Sequence, residues 1–185
     1  MNRIKPALAF AVALLSATVG HAADKTYLVN RAFDYGSVTG TIVTTGDFGT
    51  LDAQHGISSW ELQLVSDGYS FNLTPLNSYL FGSGLVTATP LELTYDFDSG
   101  NYFGFFHSGA DKARWCLQSS YGQCTFSGVR GELVAVTQGN LVEQFQDLAG
   151  TQTIAVAGVP EPATYALWLA GLGLLGLAAK RRADA

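Results

Sequence analysis

Leu91-Glu92-Leu93-Thr94-Tyr95-Asp96-Phe97-Asp98 places an apolar residue at every odd position and a polar one at every even position. Side chains alternate across a strand, so this octet is a half-buried antiparallel strand with both faces written out. Trp60, Leu62 and Leu64 alternate in the same way with Glu61 and Gln63, which turns Trp60 inward. Asp98-Ser99-Gly100-Asn101 supplies turn residues ahead of an aromatic segment at 102–106, so those two segments read as a hairpin. The same criteria predict strands over residues 26–33, 38–45, 69–73, 85–88, 114–118, 123–127, 131–137 and 153–157. Turn chemistry recurs at Gly46, Gly56, Asp67-Gly68, Gly82-Ser83-Gly84 and Ser108-Gly109. Many short strands with close turns predict an all-β fold, an antiparallel β-sandwich or jelly roll. Away from the two ends the one helical candidate is 141–148, and no repeat of solenoid period occurs.

The two ends follow other rules. Residues 163–179 carry no charge and are dominated by Leu, Ala and Gly. At 1.5 Å per residue such a helix reaches about 25 Å, at the short end of what a bilayer core requires. Tyr165 and Trp168 sit toward its upstream end, where amphipathic rings favour the membrane interface, and Lys180-Arg181-Arg182 stops it. The positive-inside rule holds that basic stop in the cytoplasm and faces the rest of the chain outward. A buried core helix is the alternative, but it leaves the basic stop and the terminal position unexplained. At the other end Arg3 and Lys5 precede an apolar stretch at 7–15, and Gly20-His21-Ala22 offers small residues for signal peptidase. The chain therefore divides into a signal helix at 1–22, a β passenger at 23–158 and a C-terminal segment at 159–185 with a single transmembrane helix.

That segment opens on Val159-Pro160-Glu161-Pro162-Ala163, ahead of the apolar run and the basic cluster. Motif, span and cations in this order resemble the PEP-CTERM sorting domain of Gram-negative bacteria, with Pro160, Glu161 and Pro162 as the motif. The resemblance implies recognition by exosortase, a membrane-embedded transpeptidase resembling a cysteine protease, and processing near the motif. It implies an envelope or secreted product, often in organisms that make exopolysaccharide. It implies an address and no activity, and leaves open whether the helix is removed or retained. Residues 40–51 and 57–64, with Gly40, Gly46, Gly49 and Trp60, are similar to a glycine/threonine hairpin-plus-tryptophan pattern in exported proteins sharing this tail.

Charge narrows the partners. Between residues 23 and 158, five Lys and Arg side chains face thirteen carboxylates, a balance of −8 against −5 for the whole chain. A surface without a basic cluster does not suit nucleic acid or anionic lipid. Cys116 and Cys124 are an even pair in an exported domain, which predicts a disulfide rather than a C-x-x-C redox or metal pair. So short a loop would contribute on the order of 2–3 kcal/mol. No serine has glycine two residues on either side, no H-E-x-x-H occurs, and after signal cleavage only His55 and His107 remain of the histidines. Asp96-Phe97-Asp98-Ser99-Gly100 has glycine one position early for a calcium loop and reads as a turn with outward aspartates. Glu61 and Glu92 lie on polar strand faces, with no warrant for a glycosidase pair. Catalytic residues, metal ligands and cofactors are therefore expected to be none. The aromatics mainly fill a two-sheet core, while Tyr102 and Tyr121, near turns, are the candidates for stacking on a glycan. Two functions remain: a non-enzymatic envelope or exopolysaccharide-matrix protein, and a carbohydrate-binding module or, less readily, a glycan hydrolase acting on that polysaccharide.

Overall fold

The computed structural model describes residues 24–109, 112–119, 124, 130–137, 144–158 and 169–172. Thirteen strands among them form two sheets in which every pairing is antiparallel. The larger sheet has eight, in the order β3 (Gly49–Leu51), β7 (Val86–Ala88), β8 (Glu92–Asp96), β13 (Thr151–Ala157), β1 (Lys25–Phe33), β2 (Gly36–Thr44), β4 (Ile57–Ser66) and β5 (Tyr69–Leu73). The smaller has five, in the order β12 (Gln144–Gln146), β11 (Gly131–Thr137), β10 (Lys112–Gln118), β9 (Tyr102–His107) and β6 (Ser78–Gly82). One cluster of buried side chains draws on both sheets, so the architecture is a sandwich, of eight strands on five rather than the eight strands of a jelly roll.

The alternating segments fold as their pattern requires. In β4, Trp60, Leu62 and Leu64 are buried while Glu61 and Gln63 are exposed; in β8, Leu93 and Tyr95 are buried. At the centre Trp60 meets Phe105 edge-on, ring centroids 5.6 Å apart, and Phe105 stacks on Trp115 at 5.4 Å and 8°. Such pairs are worth about 0.5–1.5 kcal/mol each beyond the area they bury. The indole N–H of Trp60 donates to Ser78 Oγ at 2.9 Å, and Ser78 donates on to the Thr74 carbonyl, so the buried donor is satisfied.

The inward row of β1 reads Tyr27, Val29, Arg31, Phe33, with a cation among apolar residues. Across the sandwich, β11 turns Glu132 inward and buries it completely. Arg31 binds that carboxylate through Nε at 3.1 Å and Nη2 at 2.6 Å, and donates from Nη1 to the Thr153 carbonyl at 3.0 Å. Trp115 Nε1 donates to the other carboxylate oxygen at 2.7 Å, and the Tyr35 hydroxyl reaches the Glu132 main-chain oxygen. Burying a carboxylate is costly unless a cation and further donors compensate it, and here both do.

Several expectations are corrected. Residues 98–101 do not close a hairpin: β8 is flanked by β7 and β13, β9 by β6 and β10, so the turn passes the chain from one sheet to the other. The Tyr95 hydroxyl, donating to the Asn101 carbonyl at 2.8 Å, ties that crossing down. The helix expected at 141–148 is replaced over 144–146 by β12, because Phe145 pairs with Leu133 and packs on the apolar outer face of the smaller sheet; residues 141–143 lie outside the described residues. Of the strand expected at 123–127, only Cys124 is described, and it lies in a turn. β3 and β6 were not anticipated. β3 is three residues long, and Tyr79-Leu80-Phe81 in β6 is apolar on both faces, which erases alternation. The signal segment 1–22 lies outside the described residues, as does most of the C-terminal apolar run, of which 169–172 is helical. No described helix is long and apolar enough to cross a membrane.

Glu132→Ala strands Arg31 and the Trp115 N–H, and unfolding in urea should show a loss of about 3–5 kcal/mol. Glu132→Gln with Arg31→Met removes both charges yet keeps an acceptor for Trp115, and should lose far less; equal losses would refute a role for the pair. Burial holds the Tyr95 phenol up at about 12, above its ordinary 10, and burial next to Glu132 raises Tyr35 in the same direction. Because the neutral form is favoured in the fold, its stability is intact below pH 10 and lost as pH rises toward 12. Urea midpoints should fall across that window, less steeply in Tyr95→Phe; superimposable curves would overturn the assignment.

Candidate functional site

The outer face of the smaller sheet is apolar where a solvated face would be polar. Tyr79 and Phe81 on β6, Tyr102 and Phe106 on β9, and Phe145 on β12 all lie on it. Register places Tyr79 opposite Phe106 and lines up Phe81, Gly104, Cys116, Leu133 and Phe145 in one row across five strands. Position 104 must stay bare: a Cβ there would stand 2.6 Å from the Phe106 ring and 2.8 Å from the Trp115 main-chain oxygen. Phe106 leans over that gap and becomes the hub of a ring strip. Tyr79 lies nearly parallel to it at 6.0 Å and 25°, Phe81 edge-on at 5.7 Å, and Phe81 meets Tyr102 at 5.6 Å.

Cys116 and Cys124 are joined as the sequence predicts, Cα atoms 6.1 Å apart, and both are buried. With Leu133 and Ala135 they form a second apolar cluster, against which Tyr102, Phe106 and Phe145 pack. The disulfide therefore supports one flank of the strip, and Tyr102 is half-buried against it. The rings that reach solvent are Tyr79, 47% exposed, and Phe81, 37% exposed, neither of which sequence reasoning singled out. The missed signal was β6 itself: once Leu80 is assigned to the core, Tyr79 and Phe81 must face out. Tyr121 lies outside the described residues. The four rings offer flat apolar surface and no acid, base or nucleophile apart from the phenols of Tyr79 and Tyr102, so the strip suits stacking more than proton transfer.

The remaining candidates do not converge. Glu61 on β4 and Glu92 on β8 are separated by β13, β1 and β2, four strand intervals or roughly 19 Å, too far for a glycosidase pair. Glu92 also accepts a hydrogen bond from Thr153. His55 pairs with Asp52 at 3.1 Å on the exposed surface. Bonds from the backbone N–H of Gln54 and the His55 ring hold the Asp52 carboxyl below its usual range. His107 packs edge-on against Phe71 at 4.6 Å. The expected turn at 96–100 holds: Asp98 is committed to Arg130 at 2.7 Å and to the Gly150 N–H at 3.0 Å. Among the described residues no three His, Cys, Asp or Glu side chains gather as metal ligands would.

The passenger's end is as informative as its faces. β13 finishes at Ala157, and the Gly158 N–H donates to the Thr26 carbonyl at 2.9 Å, so the chain leaves the sandwich beside the start of β1. The family model for the PEP-CTERM protein-sorting motif matches from that point, over residues 158–182. The chain ends in a PEP-CTERM sorting segment. This marks it as an exported exosortase substrate. No curated protein and no solved structure matches the chain. Pro160, Glu161, Pro162, Lys180, Arg181 and Arg182 all fall within the match and outside the described residues.

Proposed function

We propose that the chain is a cell-envelope protein delivered by signal peptidase and exosortase, serving in the envelope or its exopolysaccharide matrix by packing and binding rather than by a reaction. The observation that carries this reading is the abutment of sorting segment and passenger: the match starts at residue 158, one residue beyond β13. In this reading the apolar run crosses the inner membrane with Lys180–Arg182 in the cytoplasm, and the sandwich stands in the periplasm or, after processing, outside the cell. The absence of slack between β13 and the motif suits a domain held at the membrane until processing frees it.

A second reading, carbohydrate binding, is favoured by the Tyr79–Phe81–Phe106–Tyr102 strip. Rings with an apolar face and a polar edge stack on sugars, and exposed apolar patches of this kind mark contact sites.

Blotting should find the passenger without its basic tail in cells with exosortase and with it in cells lacking the enzyme, and replacing Pro160-Glu161-Pro162 by alanines should preserve the tail in both. A tail retained in every strain would make the span a permanent anchor. In gels containing the producer's own exopolysaccharide, the protein should be retarded and Tyr79→Ala with Phe81→Ala should restore its mobility. No retardation of the parent chain would remove the carbohydrate reading and leave the structural one.

A further inference from the structure

On the opposite side of the sandwich the outer face of the larger sheet carries a polar row. Asn30, Thr39, Gln63 and Asn72 pair directly across β1, β2, β4 and β5. With strands about 4.8 Å apart, the row extends roughly 14 Å perpendicular to them. The neighbouring row places Leu28, Thr41 and Glu61 side by side. Between the rows is a depression of about 320 Å³ lined by Thr39, Gly40, Thr41, Glu61, Gln63 and Asn72. Gly40 in the lining has φ +136°, and a Cβ there would run into the Glu61 main-chain oxygen.

The chemistry of the lining is specific. Two amides donate and accept, two hydroxyls do both, and one carboxylate accepts. None of these side chains is engaged in a hydrogen bond among the described residues, although Thr39, Gln63 and Asn72 are direct cross-strand neighbours. A polypeptide would seek an unpaired strand edge or an apolar pocket; the depression has a polar lining and lies over β2 and β4, which are paired on both sides, while the free edge of β5 lies at its margin. Glu61, the lack of any Lys or Arg in the lining, and the acidic passenger all repel an anionic polymer. What remains is a long ligand without negative charge, rich in hydroxyl groups.

We infer that the outer face of β2, β4 and β5 binds a neutral or amino-bearing glycan chain lying across the strands, with Gln63 and Asn72 bonding its hydroxyls and Glu61 excluding uronate-type polymers. This site lies on a different sheet from the aromatic strip and stands or falls independently of it.

The test is binding of the full-length chain in detergent to immobilised neutral glucan, chitosan and polygalacturonate. Binding is expected to the glucan or chitosan and not to polygalacturonate. Gln63→Ala with Asn72→Ala removes two exposed bonding groups without disturbing the core, and should weaken binding about tenfold, the equivalent of two modest hydrogen bonds. Leu76→Ala, an exposed side chain outside the lining, should leave this binding unchanged. The proposal is overturned by an absence of binding to both uncharged and amino glycans, by preference for polygalacturonate, or by a Gln63/Asn72 variant that binds like the parent. Binding lost only in the Tyr79/Phe81 variant would likewise overturn it, while upholding the aromatic strip as the glycan site.

Discussion

The buried Glu132 carboxylate fixes how the two sheets face each other. Apolar surfaces stick without direction, and two sheets held by burial alone can slide at small cost. A carboxylate with no exposure tolerates no such freedom, because Arg31 must come from the larger sheet and Trp115 from the smaller one to satisfy it. The order set there passes on by contact. Trp115, held by its N–H, offers its face to Phe105; Phe105 offers its edge to Trp60; Trp60 binds Ser78, and Ser78 the Thr74 carbonyl. One charge thus orients a relay that spans the core from β1 to the start of β6.

The two outer faces then diverge from a common plan. On the larger sheet the outward positions of β2, β4 and β5 are mostly hydroxyls, amides and a carboxylate, with Val43 and Val65 among them. On the smaller sheet the outward positions of β9 to β12 form a second apolar cluster, which a disulfide closes on one side and a ring strip leaves open on the other. A domain of this size has area for one main core, and a covalent link stabilises a satellite cluster that burial alone would hold weakly.

What could be read from the chain divides by physical range. Alternation in β4 and β8 is a local property, and it placed Trp60, Leu62, Leu93 and Tyr95 correctly. The disulfide followed from compartment and spacing, and the C-terminal address from three features in a fixed order. The hairpin assigned to Asp98–Asn101 failed because turn residues announce a reversal without saying which sheet receives the next strand. β12 was missed because the 141–148 segment has no strong period, and residues 144–146 were fixed as a strand by pairing with β11, where Phe145 faces Leu133. Glu132 was legible only in hindsight: its neighbours Leu133, Val134, Ala135 and Val136 are apolar at every position, so the inward face cannot be told from the outward one. Arg31 sat visibly in an apolar alternation with Tyr27, Val29 and Phe33, and a cation there is the clue that a buried partner must exist elsewhere. Tyr79 and Phe81 were hidden by the same both-faces problem.

The last strand of the passenger is not an edge strand. β13 lies between β8 and β1, hydrogen-bonded on both sides, and the sorting-motif match begins one residue beyond it. In the proposed envelope role, tension arriving through the tail would act along a strand clamped between two antiparallel neighbours. Its ladder bonds would share the load in shear instead of opening one after another as at an edge. In that role an interior strand would resist peeling better than an edge strand. The interior position of β13 also means that the larger sheet stays in two separate parts, β3-β7-β8 and β1-β2-β4-β5, until the final residues before the tail have been delivered.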